Sequence, residues 1–432
     1  MWPSAKYSGY SDKKSPFLEQ TLYLTMSAQN NISLFPPHLN AVAGALQAIF
    51  RDGDFADKVI EKVLKADPRR GARDRAFIAE NTYEIVRWYR LLYTLRGKEP
   101  IHQEDWWEII GIRFIIAGYT LPNWKEFRHL DVPQILATYQ EVQATRAINQ
   151  SIPDWMDQIG VDELKEDWPN TIQALNQPAK AVLRANTLKG TAHELQIRLK
   201  QEDIGTEILK GDALLVPEHK SLFRSKAFQD GYFELQDFSS QQVAPFCETE
   251  PGMRVIDACA GAGGKTLHLG SLMQNKGQII ALDTEEWKLH ELKKRARRNG
   301  IHIIETRPIE NTKTIKRLDA SADRLLLDVP CTGLGVLRRN PDAKWKLSPD
   351  FLQRIKATQQ QILSRYARML KPGGKMVYAT CSVLPSENQE QVSRFLRSEA
   401  GKGFRLEEQK IILPQDEGFD GFFMARMIRN KA

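Results

Sequence analysis

The stretch from Val255 to Thr266, which reads VIDACAGAGGKT, limits what this chain can fold into more than any other. A short apolar run with an acidic residue is followed by a glycine-rich turn and by residues that favour a helix. Gly261, Gly263 and Gly264 would let the backbone turn sharply and approach a ligand closely. A helix that begins there would point its free N–H groups at that ligand. The stretch therefore predicts a buried strand, a ligand-binding turn and a helix.

Two common phosphate-binding motifs do not fit this turn. A P-loop needs a glycine five positions before Gly264, where Cys259 stands. The dinucleotide motif G-x-G-x-x-G begins at Gly261 and Gly263, but Thr266 takes its last glycine position. A third interpretation is that this is a strand-to-helix turn that binds no ligand.

Apolar periodicity divides the part of the chain before this turn into three regions. Residues 1–34 have no periodic pattern and are expected to be a loose leader. Residues 35–150 are expected to form an all-α domain. After the polar, proline-containing junction NQSIPDW, residues 151–245 are expected to form a linker helix and a small α+β subdomain. The helices are predicted at 36–52, 72–95, 104–118, 132–147, 161–175 and 191–202, and the strands at 181–185, 206–209, 213–216 and 231–235.

Strands and helices alternate over residues 246–432, which predicts an α/β domain with a doubly wound, Rossmann-like sheet. The strands are predicted at 254–257, 278–282, 302–305, 323–328 and 374–379. The helices are predicted at 265–273, 285–298, 350–370 and 386–397.

The charge of the chain favours a polyanionic partner. Lysine and arginine exceed aspartate and glutamate by 61 to 54, which gives a net charge of +7 and a pI of about 9.0. Basic residues gather between Arg70 and Arg90 and again at 292–300, where they form either solvated helix faces or RNA contacts. The four cysteines are too scattered for a metal site or a disulfide framework. With no signal peptide or membrane-length apolar run, we expect a cytoplasmic protein without a membrane partner or a metal.

Polar side chains and thiols follow three of the predicted strands. Asp283 ends the second strand, where an acidic residue can bind both hydroxyls of a ribose or cap the next helix. Asp328 ends the fourth strand and is followed by Cys331, and Cys381 follows the fifth strand. A single cysteine after a strand is usually a small buried apolar residue. Two of them at one sheet edge, beside a ligand-binding turn, favour a chemical role.

The motifs DACAGAGGKT, DVPCTG and ATCS, in this order, resemble those of the RNA 5-methylcytosine methyltransferases of the Sun/Fmu (NOL/NSUN) superfamily. Four further segments support the resemblance: RANTLK at 184–189, ELQDFSSQ at 234–241, LRRNPDAKW at 337–345 and LKPGGKMVYATCS at 370–382. The resemblance covers about 150–430. The helical N-terminal region is similar to the NusB-like RNA-binding domain of the bacterial 16S ribosomal-RNA branch.

This resemblance implies a class I methyltransferase domain that uses S-adenosylmethionine. It implies that Cys381 is the nucleophile, that Cys331 assists release of the product, and that Asp328 contacts the cytosine edge. It assigns Asp283 and Asp328 to the cofactor, together with the segment Cys259, Ala260, Gly261, Ala262, Gly263, Gly264 and Lys265.

Two departures from the family pattern concern the cofactor. The family usually has CAAPGGK, whereas this chain has CAGAGGK, so we expect a similar but less rigid turn. The family also places an aspartate near the adenine after the third strand, but this chain reads ETRPIEN at 305–311. We expect Glu305 to take that place, with Glu310 as the alternative.

The predicted activity is S-adenosylmethionine-dependent methylation of cytosine carbon 5 in RNA, with small-subunit ribosomal RNA as the expected substrate and a monomer as the expected state. Transfer RNA is an alternative substrate, and a catalytically silent RNA-binding assembly factor is an alternative of another class. A third alternative is methylation of an amino group. That activity would favour the motif Asn/Asp-Pro-Pro-Tyr/Phe after the fourth strand, and DVPC at 328–331 lacks the aromatic residue.

Overall fold

A computed structural model describes residues 30–31, 34–217 and 222–431 of the chain. Most of the leader predicted at 1–34 therefore lies outside the described residues. The chain divides into two units between Asp154 and Trp155.

The first unit is helical, as its periodicity predicts. The apolar stripe of its first helix and both faces of its fifth are buried, with Leu46, Trp106 and Ile110 inaccessible to solvent. A short parallel pair of strands, β1 (Asn30–Asn31) and β2 (Tyr119–Thr120), accompanies the helices. The helices are α1 (Pro36–Phe50), α2 (Ala56–Ala66), α3 (Ala72–Arg87), α4 (Tyr89–Arg96), α5 (Gln103–Ile116), α6 (Val132–Val142) and α7 (Arg146–Asn149).

Three details of the first unit differ from the prediction. The single helix expected at 132–147 ends at Val142, and α7 follows it as a separate short helix. The single helix expected at 72–95 is interrupted at Trp88, whose backbone leaves the helical region with φ −106° and ψ 19°. Helix α2 was not predicted, because its buried apolar residues are few and most of its surface is charged. The arginines of this region are not simply solvated, since Arg87 is buried and Arg90 donates to the Ile152 carbonyl at 2.6 Å.

The second unit begins with helices and a small antiparallel sheet, as the α+β texture predicts. Strands β3 (Ala181–Ala185) and β5 (Ala213–Val216) match the predicted bounds. The remaining elements are α8 (Asp154–Leu164), α9 (Trp168–Leu175), α10 (Ala192–Gln201), β4 (Glu207–Ile208), α11 (Lys226–Gln229) and β6 (Phe233–Leu235). The order of the strands in this sheet is β4-β5-β3-β6.

The large sheet of this unit has seven strands, and the two C-terminal ones were not predicted. The strands are β7 (Arg254–Asp257), β8 (Gln278–Asp283), β9 (Ile304–Pro308), β10 (Ala322–Asp328), β11 (Leu370–Thr380), β12 (Phe404–Ile412) and β13 (Phe422–Arg429). Their order in the sheet is β12-β13-β11-β10-β7-β8-β9. Neighbouring strands run parallel except around β13, which is antiparallel to both β11 and β12.

Helices cover both faces of this sheet, which confirms the Rossmann-like architecture. Successive residues of the parallel strands alternate between the two cores, so that Leu325 and Leu327 pack on one face and Leu326 on the other. The helices are α12 (Phe238–Gln241), α13 (Val243–Phe246), α14 (Gly264–Leu272), α15 (Glu286–Asn299), α16 (Thr312–Lys316), α17 (Ala343–Lys346), α18 (Pro349–Tyr366), α19 (Gln389–Leu396) and α20 (Pro414–Glu417).

The strand order reverses between β7 and β10. In such sheets, the crevice outside the carboxyl ends of the strands at the reversal is the usual ligand site. The glycine-rich turn, Asp328 and the two cysteine segments all follow these strands or their neighbours.

Candidate active site

The glycine-rich turn after β7 is held by one hydrogen bond to the neighbouring strand and one within the turn. The Gly261 N–H donates to Asp283 Oδ2 at 2.8 Å, and the Gly263 N–H donates to the Ala260 carbonyl at 2.9 Å. Gly261 has φ +53°, a conformation that residues with a Cβ rarely adopt. At the start of α14, Thr266 donates to Asp257 Oδ2 at 2.7 Å, and burial raises the pKa of Asp257 to about 7.

The three glycines of the turn serve different purposes. Gly263 has φ +90°, and a Cβ there would lie 2.5 Å from Cγ of the fully buried Leu292. Gly264 has no neighbour within 4 Å of such a Cβ. Gly263 is therefore required because Leu292 of α15 packs directly against it. At Gly264 a larger side chain would meet only open space.

A cavity of about 440 Å³ opens beside this turn. Its volume falls within the range of about 300–1,000 Å³ that is typical of small-molecule sites. Asp283 and Asp328 line it from the carboxyl ends of their strands, and α18 adds both apolar and polar side chains, among them Ile362 and Arg365. The lining residues include Cys259, Gly261, Asp283, Glu285, Asp328, Pro330, Gln361, Ile362 and Tyr366.

Asp328 is held at the mouth of this cavity by Lys265. The Lys265 Nζ donates to Asp328 Oδ2 at 2.6 Å and lies 5.0 Å from the centre of the Phe422 ring. Burial alone would lower the pKa of Lys265, but the adjacent carboxylate outweighs it and the net pKa is raised. Lys265 therefore stays charged and fixes the orientation of Asp328.

Cys331 and Cys381 bring their sulfurs within 3.2 Å of each other. The hydrogen bond with Cys381, followed by burial, raises the pKa of Cys331 well above its usual value. Cys331 therefore keeps its proton. Burial also raises the pKa of Cys247 and Cys259, so those two thiols are not suited to act as nucleophiles.

Glu387 is a buried residue of this site that the sequence did not reveal. Its carboxylate accepts hydrogen bonds from Thr332, Ser382 and Gln359. No sequence signal separates Glu387 from the exposed Glu390 three positions later.

The structure brings most of the predicted site residues together. Asp283 and Asp328 line the cavity with Cys259 and Gly261, and Cys331 and Cys381 follow strands β10 and β11. The predicted residues Ala260, Ala262, Gly263, Gly264 and Lys265 shape the turn and the start of α14 without lining the cavity themselves.

The structure does not bring Glu305 to this cavity. Its carboxylate accepts from Gln278 Nε2 at 2.9 Å and from Arg307 Nε at 2.6 Å. Glu310 lines a neighbouring cavity of about 540 Å³, and Ile309 lies on the wall of both cavities. An apolar residue therefore stands at the end of the third strand, where an acidic residue was expected.

The basic run at 292–300 is only partly a solvated helix face. Arg295 and Arg298 form ion pairs with the buried carboxylate of Glu234 from the small sheet. Arg295 also donates to the carbonyl of Ala262 at 2.7 Å. Lys293 and Lys294 are exposed.

No group of three or more His, Cys, Asp or Glu side chains within the described residues could hold a metal ion. None of the helices in the described part of the chain is long and apolar enough to cross a membrane.

Comparison with known proteins shows which family this chain resembles in sequence. Residues 245–428 match the family model described as 16S rRNA methyltransferase RsmB/F. The probable ribosomal RNA small subunit methyltransferase B of Synechocystis sp. is 30% identical over 433 residues, covering 88% of this chain and 97% of the relative. The ribosomal RNA small subunit methyltransferase B of Vibrio cholerae is 32% identical over 436 residues, covering 90% of this chain and 97% of the relative.

The fold also matches that of a solved structure. NSun6 from Pyrococcus horikoshii with SFG aligns at a TM-score of 0.60 and 21% identity, covering 65% of this chain and 99% of that chain. At this identity the match concerns the fold alone.

Proposed function

Because the chain belongs to the 16S rRNA methyltransferase RsmB/F family, we propose that it methylates carbon 5 of a cytosine in small-subunit ribosomal RNA through a covalent adduct with Cys381. Its relatives are named ribosomal RNA small subunit methyltransferases, and the methyl donor of the family is S-adenosylmethionine. The observation that carries the covalent mechanism is the 3.2 Å approach of the Cys331 and Cys381 sulfurs at one sheet edge.

The residues around the cavity fit the methyl donor. When bound, S-adenosylmethionine supplies an electrophilic methyl group. Asp283 uses its two carboxylate oxygens to hold the Gly261 and Glu285 N–H groups, and each oxygen retains acceptor capacity for a ribose hydroxyl. The apolar wall that includes Ile309 and Tyr366 suits a flat purine ring. We assign Asp283, Asp328 and the turn from Cys259 to Lys265 to the cofactor, but not Glu305.

Carbon 5 of cytosine is too weak a nucleophile to take a methyl group unaided. The two cysteines would make it more nucleophilic through a temporary covalent bond. The Cys381 thiolate adds to carbon 6, which makes carbon 5 enamine-like and nucleophilic. Asp328, oriented by Lys265, contacts the cytosine edge and stabilises the activated base. After carbon 5 has been methylated and has lost its proton to a water molecule, the electron pair of the broken C–H bond restores the double bond between carbons 5 and 6, and the bond between sulfur and carbon 6 breaks. The protonated Cys331 then stabilises the departing Cys381 thiolate by donating a hydrogen bond to it.

The cysteine variants test this mechanism directly. Cys381→Ala is expected to abolish methyl transfer while leaving folding and cofactor binding largely intact. Cys331→Ala is expected to accumulate an RNA–protein adduct, visible as a slow band on a denaturing gel. Cys247→Ala is the matched control, since Cys247 is buried and its thiol donates to the Val243 carbonyl at 3.4 Å. Full activity in Cys381→Ala would overturn the mechanism, and normal turnover without an adduct in Cys331→Ala would remove the release role.

The substrate requires a separate experiment. The target cytosine must be single-stranded or pulled out of its stack to reach the sulfur. Bisulfite mapping of 5-methylcytosine in ribosomal and transfer RNA, with and without the gene, is expected to show one ribosomal site lost on deletion. Loss of a transfer-RNA site instead would favour the alternative substrate, and no loss would favour a silent assembly factor. We expect a cytoplasmic monomer that acts without a metal.

A further inference from the structure

Glu387 lies at the centre of the two cysteine segments, although it belongs to neither motif. It closes the short helical turn Pro385–Glu387, which follows Cys381 in the chain. Its side chain is fully buried, at 0% exposure. A buried carboxylate is costly unless its oxygens are satisfied, so its contacts indicate what it does.

The carboxylate bridges the residues that follow the two cysteines. Oε2 accepts from the Thr332 N–H at 2.9 Å, and Oε1 accepts from the Thr332 hydroxyl. Oε1 also accepts from the Ser382 hydroxyl at 2.5 Å. Thr332 follows Cys331 and Ser382 follows Cys381, so one side chain holds both cysteine segments.

A second set of bonds fixes Glu387 itself. Gln359 of α18 donates through Nε2 to Oε2 of Glu387 at 3.0 Å and to the Pro330 carbonyl at 3.1 Å. The Tyr378 hydroxyl donates to the Glu387 carbonyl at 2.7 Å. Glu387 is therefore anchored to β11 through its backbone carbonyl and to α18 through its carboxylate.

Glu387 forms no ion pair within the described residues. Every bond that its carboxylate accepts comes from an amide or a hydroxyl group. Both carboxylate oxygens accept bonds from separate segments of the chain, so the carboxylate fixes the positions of these donors relative to one another. The arrangement indicates a role in the geometry of the cysteine segments.

We propose that Glu387 is a positioning residue, which sets the separation of the Cys331 and Cys381 sulfurs by holding Thr332 and Ser382. This inference rests on the covalent mechanism proposed above. The step it affects is release, in which the Cys331 S–H donates to the Cys381 sulfur as the bond between that sulfur and carbon 6 breaks. A displacement of about 1 Å can slow a reaction by on the order of 100-fold.

Glu387→Gln is the most conservative perturbation. The amide oxygen can take the place of Oε2 and accept from the Thr332 N–H and from Gln359. The amide nitrogen then faces the Thr332 and Ser382 hydroxyls, which must rotate to accept. The fold is expected to survive while the bridge weakens. Glu390→Gln is the matched control, because Glu390 is an exposed glutamate on the neighbouring helix.

The expected result is a roughly 10- to 100-fold slower decay of the RNA–protein adduct in Glu387→Gln, with S-adenosylmethionine affinity unchanged. Combining it with Cys331→Ala gives the sharper test. If Glu387 acts by positioning Cys331, adding Glu387→Gln to Cys331→Ala leaves adduct decay as slow as in the single Cys331→Ala variant. An equal further slowing in both backgrounds would overturn the inference.

A chemical measurement reports the thiol separation without turnover. Diamide, a thiol oxidant, should join the two neighbouring sulfurs rapidly in the wild-type protein, with loss of two hydrogens in the intact mass. Glu387→Gln is expected to slow this oxidation, whereas Glu390→Gln is not. If Glu387→Gln does not fold, Ser382→Ala removes one bond of the same bridge and is expected to slow oxidation in the same direction.

The outcomes separate this inference from the proposed mechanism. If Cys331→Ala forms an adduct but Glu387→Gln behaves like Glu390→Gln in decay and oxidation, the positioning role is wrong and the covalent mechanism stands. If Cys381→Ala stays active and no variant forms an adduct, the mechanism itself fails. Slower oxidation in Glu387→Gln would still support the bridge in that case.

Discussion

Replacing Gly263 by alanine tests whether packing, rather than ligand approach, demands the second glycine of the turn. At φ +90° a Cβ adds strain of about 1–2 kcal/mol. The new Cβ also lies 2.5 Å and 2.9 Å from Cγ and Cδ1 of Leu292. Leu292 is fully buried and has little room to move, so overpacking adds about 1–3 kcal/mol. We therefore expect Gly263→Ala to lower the free energy of unfolding by about 2–5 kcal/mol.

Gly264→Ala is the matched control one residue away. Nothing lies within 4 Å of its added Cβ, and its φ is not positive. Because alanine favours a helix more than glycine does, stability should be unchanged or higher by up to about 1 kcal/mol. Urea unfolding of the cofactor-free proteins measures both. Equal stability of Gly263→Ala and the wild type, or an equal loss in Gly264→Ala, would refute the packing argument.

Three further perturbations probe the cofactor side of the site. Lys265→Met removes the charge-assisted hydrogen bond to Asp328, which is worth about 1.5–3 kcal/mol, and should slow methyl transfer roughly 10- to 100-fold. Lys276→Met, at an exposed lysine, is the control, and unchanged turnover in Lys265→Met would contradict the role given to Asp328. Ala262→Pro should preserve or tighten S-adenosylmethionine binding in calorimetry, and a large loss would show that this chain holds the turn differently. The pKa of Asp257 is raised from 3.8 to about 7 by burial, so the native state binds its proton more tightly and loses stability as pH rises between those values. Asp257→Asn should flatten that part of the unfolding free energy against pH, and an unaltered slope would contradict it.

The strands at the centre of the sheet could be predicted because they are short, apolar and bounded by turn residues. The segments 254–257 and 181–185 agree with β7 and β3 at both ends. Strand β12 lies at the sheet edge and most of its residues are exposed, many of them charged. Because it lacks a continuous apolar segment, its sequence does not predict a strand. Its position depends on pairing with β13 over the whole of both strands, which is a contact that no local pattern encodes.

Local sequence patterns also decided which site residues could be predicted. Asp283, Asp328, Cys331 and Cys381 each follow a recognisable strand, so topology alone brings them to one edge. Glu387 follows no motif, and its role appears only when Thr332 and Ser382 are seen to share its carboxylate. Glu305 was expected at the cavity because the third strand was predicted to end there, but β9 continues to Pro308. Its carboxylate instead bonds to Gln278 and Arg307.

The cofactor turn shows how a local departure from the family pattern can be offset by a contact from elsewhere in the fold. A proline restricts a turn through its own ring, and this chain has Ala262 at that position. The Ala262 carbonyl instead accepts from Arg295, whose other nitrogen donates to Glu234 at 2.9 Å. Glu234 lies on β6 and is almost fully buried, so the small sheet anchors the arginine. The basic run on α15 therefore braces the turn, and the rigidity missing from the local sequence is supplied by a buried ion pair.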